Sequence, residues 1–191
     1  MVRYDYYGGD LMPQVIHIFG ASGSGTTTLG VALCRALGYF HMDTDDYFWL
    51  PTDPKFTQKR PRDERISLME EDISRNNNIV LSGALCDWGD VLIPKFTLAV
   101  RLETDAALRL KRLSAREHTR FGSRIEPGGD MYRQHQDFLA WAKQYDTGGP
   151  EMRSRSKLDL WQKQVTCPLI TLDGGRDVQE NVRIILEKAK N

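Results

Sequence analysis

The stretch GASGSGTTT, residues 20–28, lies between a short apolar run and an amphipathic one, and that placement decides how the chain is read. Gly20 and Gly25 are separated by four residues, and Thr27 stands where the phosphate-binding pattern Gly-x4-Gly-Lys-Ser/Thr carries its hydroxyl. Thr26 occupies the lysine position. A glycine-rich turn between a buried strand and a helix exposes backbone N–H groups at the positive end of that helix, so it cradles a polyphosphate without any charged side chain. Gly20, Gly23 and Gly25 let the backbone approach oxygen atoms closely, with Ala21, Ser22 and Ser24 completing the turn. Thr27 then offers a hydroxyl to Mg²⁺, and Thr28 reaches toward the α-phosphate.

The threonine at position 26 bears on catalysis more than on binding. A lysine there neutralises charge on the β- and γ-phosphates, and contacts of that kind contribute about 3–4 kcal/mol to a transition state. Two readings follow. In one, a different cation substitutes, from Lys55, Lys59 and Arg60 or from Arg109, Arg112, Arg116 and Arg120. In the other, the protein binds nucleotide and turns it over slowly or not at all.

Outward from the loop, residues 15–19 (VIHIF) read as a buried parallel strand, and Leu29, Leu33, Ala36 and Leu37 form one face of a helix that stops at Gly38. Further strands are predicted over residues 39–42, 79–82, 97–102 and 169–172. Helices are predicted over 62–75, 105–116, 131–143 and 178–188. Strands alternating with helices define an α/β fold, a five-stranded parallel sheet with helices on both faces. Residues 1–13 lack periodicity and read as an N-terminal extension ahead of a single domain over 14–191. The charged interval 103–168 is too long for a simple crossover; with its Pro127-Gly128-Gly129 and Gly148-Gly149-Pro150 breakers it reads as a helix followed by a mobile helical lid, approximately 112–150.

Composition narrows the class of partner. The chain has 191 residues, 40% of them hydrophobic, which is enough for one buried core. Lys plus Arg and Asp plus Glu both number 26, so no net field favours nucleic acid or an anionic membrane. No apolar run approaches the length of a membrane helix. Cys34, Cys86 and Cys167 lack the paired spacing of zinc or redox sites and read as reduced thiols, so the expected location is cytoplasmic. The expected partners are a nucleotide and a small acceptor, with a monomer or homodimer both open.

After the second strand comes His41-Met42-Asp43-Thr44-Asp45-Asp46, carboxylates at the strand end where α/β sheets bind ligands. Asp43 is placed to hold Mg²⁺ through water beside Thr27, and Asp45 to orient or deprotonate an attacking hydroxyl. A helix N-cap with solvated aspartates would look the same. His41 reads as a satisfied residue near the sheet edge.

A glycine loop followed by a strand ending in Phe-x-x-Asp-x-Asp resembles the small P-loop kinases that phosphorylate metabolites or nucleotides: shikimate kinase, gluconate kinase and, more distantly, adenylate and cytidylate kinases. The resemblance covers nearly the whole chain from Gln14. It implies a three-layer P-loop NTPase fold, with ATP and Mg²⁺ bound at residues 20–28 and Asp43. Gly83, in Ser82-Gly83-Ala84, matches the substrate-facing turn of shikimate kinases. Arg109, Arg112, Arg116 and Arg120, spaced by three, four and four, resemble the lid arginines that close over ATP. By the same resemblance Arg60, Arg62 and Arg65 would grip the acceptor, Arg112 and the loop containing Gly174 would hold the nucleotide, and Arg116 and Arg120 would join Asp45 in catalysis. The activity implied is transfer of the γ-phosphoryl of Mg-ATP to a small metabolite or nucleotide. The alternative is a catalytically impaired nucleotide-binding protein, a sensor or relic kinase.

Overall fold

The computed structural model describes residues 14–189. The apolar run before the glycine loop forms strand β1 (Gln14–Gly20), and the amphipathic run after it forms helix α1 (Thr26–Leu37). Strands β2 (Phe40–Asp43), β3 (Asn78–Ser82), β4 (Leu98–Glu103) and β5 (Leu169–Asp173) complete one parallel sheet in the order β2-β3-β1-β4-β5. β1 is central, with Ile16 in register with Val80 on one side and Leu98 on the other. Flanked on both edges and covered on both faces, it is apolar at nearly every position.

Two-residue periodicity sends β1 side chains to two cores. Ile16 and Ile18 pack with Leu29 and Leu33 of α1 and with Val182 and Ile185 of helix α7 (Val178–Lys188). Val15 and Phe19 face Met69, Leu85, Phe96 and Trp161 on the other side. Each such fully buried side chain contributes about 1.5–3 kcal/mol of transfer free energy. Helices therefore cover both faces, and the strand ends that carry the loop and the aspartates lie together at one edge.

Helix α3 (Arg62–Arg75) and α7 keep the bounds that periodicity predicts. Helix α4 (Ala106–Phe121) begins where the Asp105 carboxylate accepts from the N–H groups of Ala107 and Leu108, and it runs five residues past the predicted end at 116. The lid interval thus contains the second half of α4, a 3-10 turn (Gly122–Ile125) and helix α5 (Tyr132–Lys143), which packs back on α4. Two short helices were not foreseen from the pattern, because each has less than two turns of periodicity. They are α2 (Thr44–Phe48) and α6 (Arg155–Trp161), the latter capped by Ser154 Oγ, which accepts from the N–H of Lys157 at 3.0 Å. The extension predicted at residues 1–13 lies outside the described residues, and no described helix is long and apolar enough to cross a membrane.

Candidate functional site

The loop between β1 and α1 is shaped by what surrounds it. Gly23 has φ of 79°, and a Cβ there would lie 2.6 Å from the Arg109 carbonyl, so only glycine fits where α4 presses against the loop. Ser24 is buried, and its carbonyl accepts from Thr104 Oγ1 at 3.1 Å and Arg112 Nη1 at 3.3 Å. The N-cap of α1 is Gly25, which supplies no side-chain acceptor, whereas α2, α4 and α7 are each capped by an aspartate. The first turn of α1, which follows the glycine turn at the end of β1, therefore meets no capping side chain, an arrangement suited to an external anion.

The acidic cluster sits directly beside this turn. Thr27 Oγ1 donates to Asp43 Oδ2 at 2.7 Å, and the other oxygen of Asp43 accepts from the N–H of Asp45 at 3.0 Å as the cap of α2. The cap and the metal-side reading of Asp43 thus coexist, one oxygen serving each. Among the described residues no three His, Cys, Asp or Glu side chains cluster as a metal site. The donor set at Thr27 and Asp43 nevertheless fits Mg²⁺, a hard ion that takes a hydroxyl and one carboxylate and fills its remaining positions with water and phosphate oxygen.

Asp45 lies beside them in the first turn of α2. Loss of bulk water raises its pKa, the neighbouring Asp43 charge raises it further, and Arg153, Arg116 and Arg120 oppose the rise. Its side chain still reaches solvent. A carboxyl with a raised pKa, facing guanidinium groups from three turns of chain, can accept a proton from a nearby hydroxyl. His41 is half-buried against Ser82, 3.0 Å from its hydroxyl, at the sheet edge as read from the sequence.

The arginine stripe needs correction. Arg109 does not share a solvent face with the others: it is 1% exposed, donates Nε to the Thr104 carbonyl at 3.1 Å, pairs with Asp146 and lies 4.7 Å from the Tyr145 ring. It is a core residue, because α4 turns that position toward β4 and the return of the lid. Arg112 bridges the two segments named for the nucleotide, donating to Ser24 and at 2.9 Å to the Gly174 carbonyl. Arg116 and Arg120 converge on Glu117, at 3.1 and 3.8 Å, a nearly buried carboxylate absent from the sequence reading that cancels part of their charge.

In the acceptor segment, Arg60 donates Nε to the Tyr47 carbonyl at 3.0 Å, and Arg65 donates to the Arg60 carbonyl at 2.7 Å. The Arg65 guanidinium is 3.8 Å from the Phe48 ring centroid and 5.4 Å from that of Trp88, so it is largely enclosed. Arg62 is exposed at the start of α3 and 3.9 Å from Asp63. In the run Tyr47-Phe48-Trp49, Tyr47 is the buried residue, its hydroxyl donating to Asp72 at 2.6 Å. Gly83 has φ of 109° and abuts Thr44, joining the end of β3 to the start of α2. Lys157 pairs with Asp87 at 2.5 Å.

Arg153 escaped the sequence reading. It precedes α6 and donates Nη2 to the carbonyl of Gly20 at 3.0 Å, against the opening residue of the glycine loop. The only sequence signal was local: Ser154 as an N-cap after Gly148-Gly149-Pro150, which would have placed a helix start, but not its neighbour, beside residue 20. The three thiols are free, and burial pushes the pKa of Cys34 up to about 11 and of Cys86 to about 12, so neither is a ready nucleophile.

Sheet order, glycine loop and uncapped helix together define a P-loop protein. A family model described as an AAA domain matches residues 16–127. Over 176 residues the chain is 44% identical to the uncharacterized protein YqaC of Bacillus subtilis, covering 92% of this chain and 97% of that protein. It is 27% identical to a cytidylate kinase of Methanococcus vannielii over 55% of this chain and 67% of that one. In three dimensions it is similar to a shikimate kinase from Bacteroides thetaiotaomicron, with a TM-score of 0.56, 18% identity and coverage of 93% of this chain and 99% of that one. The chain belongs to the AAA domain family, and its fold is that of the shikimate kinase it is similar to.

Proposed function

We propose that this protein is a phosphotransferase that moves the γ-phosphoryl of Mg-ATP to a hydroxyl or phosphate of a small metabolite or nucleotide. The observation that carries the reading is Asp45: a solvent-reachable carboxyl with a raised pKa, two residues from Asp43 and its Thr27 partner, and within electrostatic reach of Arg116, Arg120 and Arg153. Residues 20–28 cradle the polyphosphate through backbone N–H groups, while Arg112 and the Gly174 loop flank the rest of the nucleotide. Thr27 and Asp43 would hold Mg²⁺, which when bound neutralises phosphate charge. Asp45 orients the acceptor hydroxyl in line with the γ-phosphorus and takes its proton as the new O–P bond forms and the bond to the β-phosphate oxygen breaks, releasing ADP. Arg116 and Arg120 stabilise the equatorial oxygens. Arg60 and Arg65 shape the acceptor wall, Gly83 lets the chain pass close to it, and exposed Arg62 makes a longer-range electrostatic contribution.

Residues 14–191 acting as one domain, with a lid at 112–150, and a cytoplasmic location belong to the same proposal. The test is twofold: a thermal shift with millimolar Mg-ATP, then ATP consumption across a panel of nucleosides, nucleotides and hydroxy acids. Stabilisation by Mg-ATP and one acceptor that accelerates ATP consumption are expected; absence of any shift would sink the reading.

Thr26 favours a second reading, a nucleotide-binding relic without turnover. It predicts stabilisation by Mg-ATP, no acceptor on the panel, and activity gained on Thr26→Lys.

A further inference from the structure

Positive charge near the loop is unevenly committed. Arg109 is paired with Asp146 in the core, Arg155 with Asp146 and Glu103, and Arg116 and Arg120 share Glu117. Arg112 donates to the Ser24 and Gly174 carbonyls. Arg153 shares with Arg112 the lack of a carboxylate partner and differs from it in carrying a buried nitrogen with no partner. Among the described residues no carboxylate forms an ion pair with it, its Nε is buried without a partner, and its Nη2 rests on the Gly20 carbonyl at 3.0 Å. It bounds a small enclosed space together with Ser22 of the loop, Trp141, Ala142 and Tyr145.

A guanidinium partly withdrawn from water and lacking a counter-ion is costly to keep, and an anion arriving beside it relieves that cost. The anion cradle is the neighbour it touches. Arg153 is also within electrostatic range of Asp45, so the glycine loop and the acidic cluster both lie in its field. Low local dielectric makes its charge less screened than that of an exposed lysine.

We propose that Arg153 supplies the positive charge that Thr26 withholds, contacting the terminal phosphates of the bound nucleotide from the opposite end of the loop. The inference rests on the nucleotide-binding reading and gives the missing lysine a replacement that meets the loop at Gly20, 133 positions away along the chain. It also predicts a preference among nucleotides, since a cation beside the terminal phosphates discriminates by phosphate number.

The test measures equilibrium binding of Mg-ATP, Mg-ADP and AMP to the full-length wild type, Arg153→Gln, Arg153→Lys and the double variant Arg153→Gln/Thr26→Lys. Circular dichroism and thermal melting check each fold. Glutamine removes the charge together with the reach to the Gly20 carbonyl, and Arg153→Lys restores the charge without the guanidinium fork, so the two variants separate charge from hydrogen bonding. Expected are a loss of about tenfold or more for Mg-ATP in Arg153→Gln, with AMP nearly unaffected, retention in Arg153→Lys, and recovery in the double variant. Unchanged Mg-ATP affinity in Arg153→Gln, equal losses for all three nucleotides, or no recovery on adding Thr26→Lys would each overturn the inference while wild-type binding left the nucleotide site intact. A wild type that binds no Mg-ATP would overturn the nucleotide reading, and the inference with it.

Discussion

Thr27 Oγ1 donates to Asp43 Oδ2 at 2.7 Å, joining the start of α1 to the end of β2 sixteen positions along the chain. The hydrogen bond ties the glycine loop to the acidic cluster and holds adjacent the two oxygens proposed as Mg²⁺ ligands. Thr27→Val removes the hydroxyl, and Asp43→Asn removes the charge while preserving the α2 cap, asparagine being an equally good N-cap. Each is expected to raise the Mg²⁺ concentration needed for ATP-induced stabilisation about tenfold, with the unliganded melting temperature nearly unchanged. Chelating Mg²⁺ should reduce the wild-type shift toward theirs. Equal Mg²⁺ dependence in wild type and both variants would remove Thr27 and Asp43 from the metal site.

Asp45 should trade stability for function. Its pKa is raised in the folded state, chiefly by burial, so the fold holds that proton more tightly than the unfolded chain does. The associated stability is present at low pH and is lost as pH rises through the folded pKa. Asp45→Asn, neutral throughout, should therefore melt higher than wild type at pH 7, by about 2–4 °C for each kcal/mol relieved, and the difference should shrink on acidification. Phosphoryl transfer to whichever acceptor the panel identifies should fall by about 10²–10⁴. A variant that is both less stable at pH 7 and fully active contradicts the assignment.

His17 is an acid-sensitive point in the core. Fully buried, stacked 4.7 Å from Phe96 and hydrogen-bonded through Nδ1 to the Leu81 carbonyl at 3.1 Å, it has its pKa lowered to about 4, mainly by desolvation. Here the unfolded chain binds the proton more tightly, so the contribution is complete above the ordinary histidine value near 6.5 and is lost as pH falls toward about 4. The drop across that window amounts to about 3 kcal/mol at most. His17→Phe keeps the aromatic packing and should flatten the denaturant midpoint between pH 6.5 and 4, at a cost of about 1 kcal/mol at neutral pH for the lost hydrogen bond. Identical acid slopes in the two proteins would clear His17.

Arg124 clasps the acceptor segment. It donates to Asp53 at 2.6 Å and to Asp130 at 2.6 Å, while Gln134 donates to the Phe56 carbonyl at 3.2 Å. These groups are exposed, so Arg124→Ala should cost less than about 1 kcal/mol of global stability. Its effect should be local: faster amide exchange across residues 51–57, read by hydrogen-exchange mass spectrometry. Unaltered exchange there would show that the remaining contacts of Phe56, with Gln134, Phe121 and Arg120, hold the segment without Arg124.

The fold was legible where the signal is local and repeated. Five apolar runs became five parallel strands within a residue or two of their predicted ends, and helices over 62–75 and 178–188 kept their bounds. Short α2 and α6 left no periodicity to read. At the site, the glycine loop, Thr27, Asp43 and Asp45 could be placed together because strand ends in a parallel α/β sheet share one edge. The i, i+3, i+4 spacing of Arg109, Arg112, Arg116 and Arg120 was read as one face, yet a helix against a sheet has an inward side, and α4 turns Arg109 into it.

By itself, then, the sequence determined an α/β sheet, a phosphate-binding turn and the absence of a lysine from it, since each is written in neighbouring residues. Only the tertiary structure decided which cations stand beside that turn. It enclosed Arg109 and brought Arg153 to Gly20, whereas the pairing of Glu117 with Arg116 and Arg120 is local to α4. Charge placement depends on contacts between distant positions, and local periodicity carries no record of them.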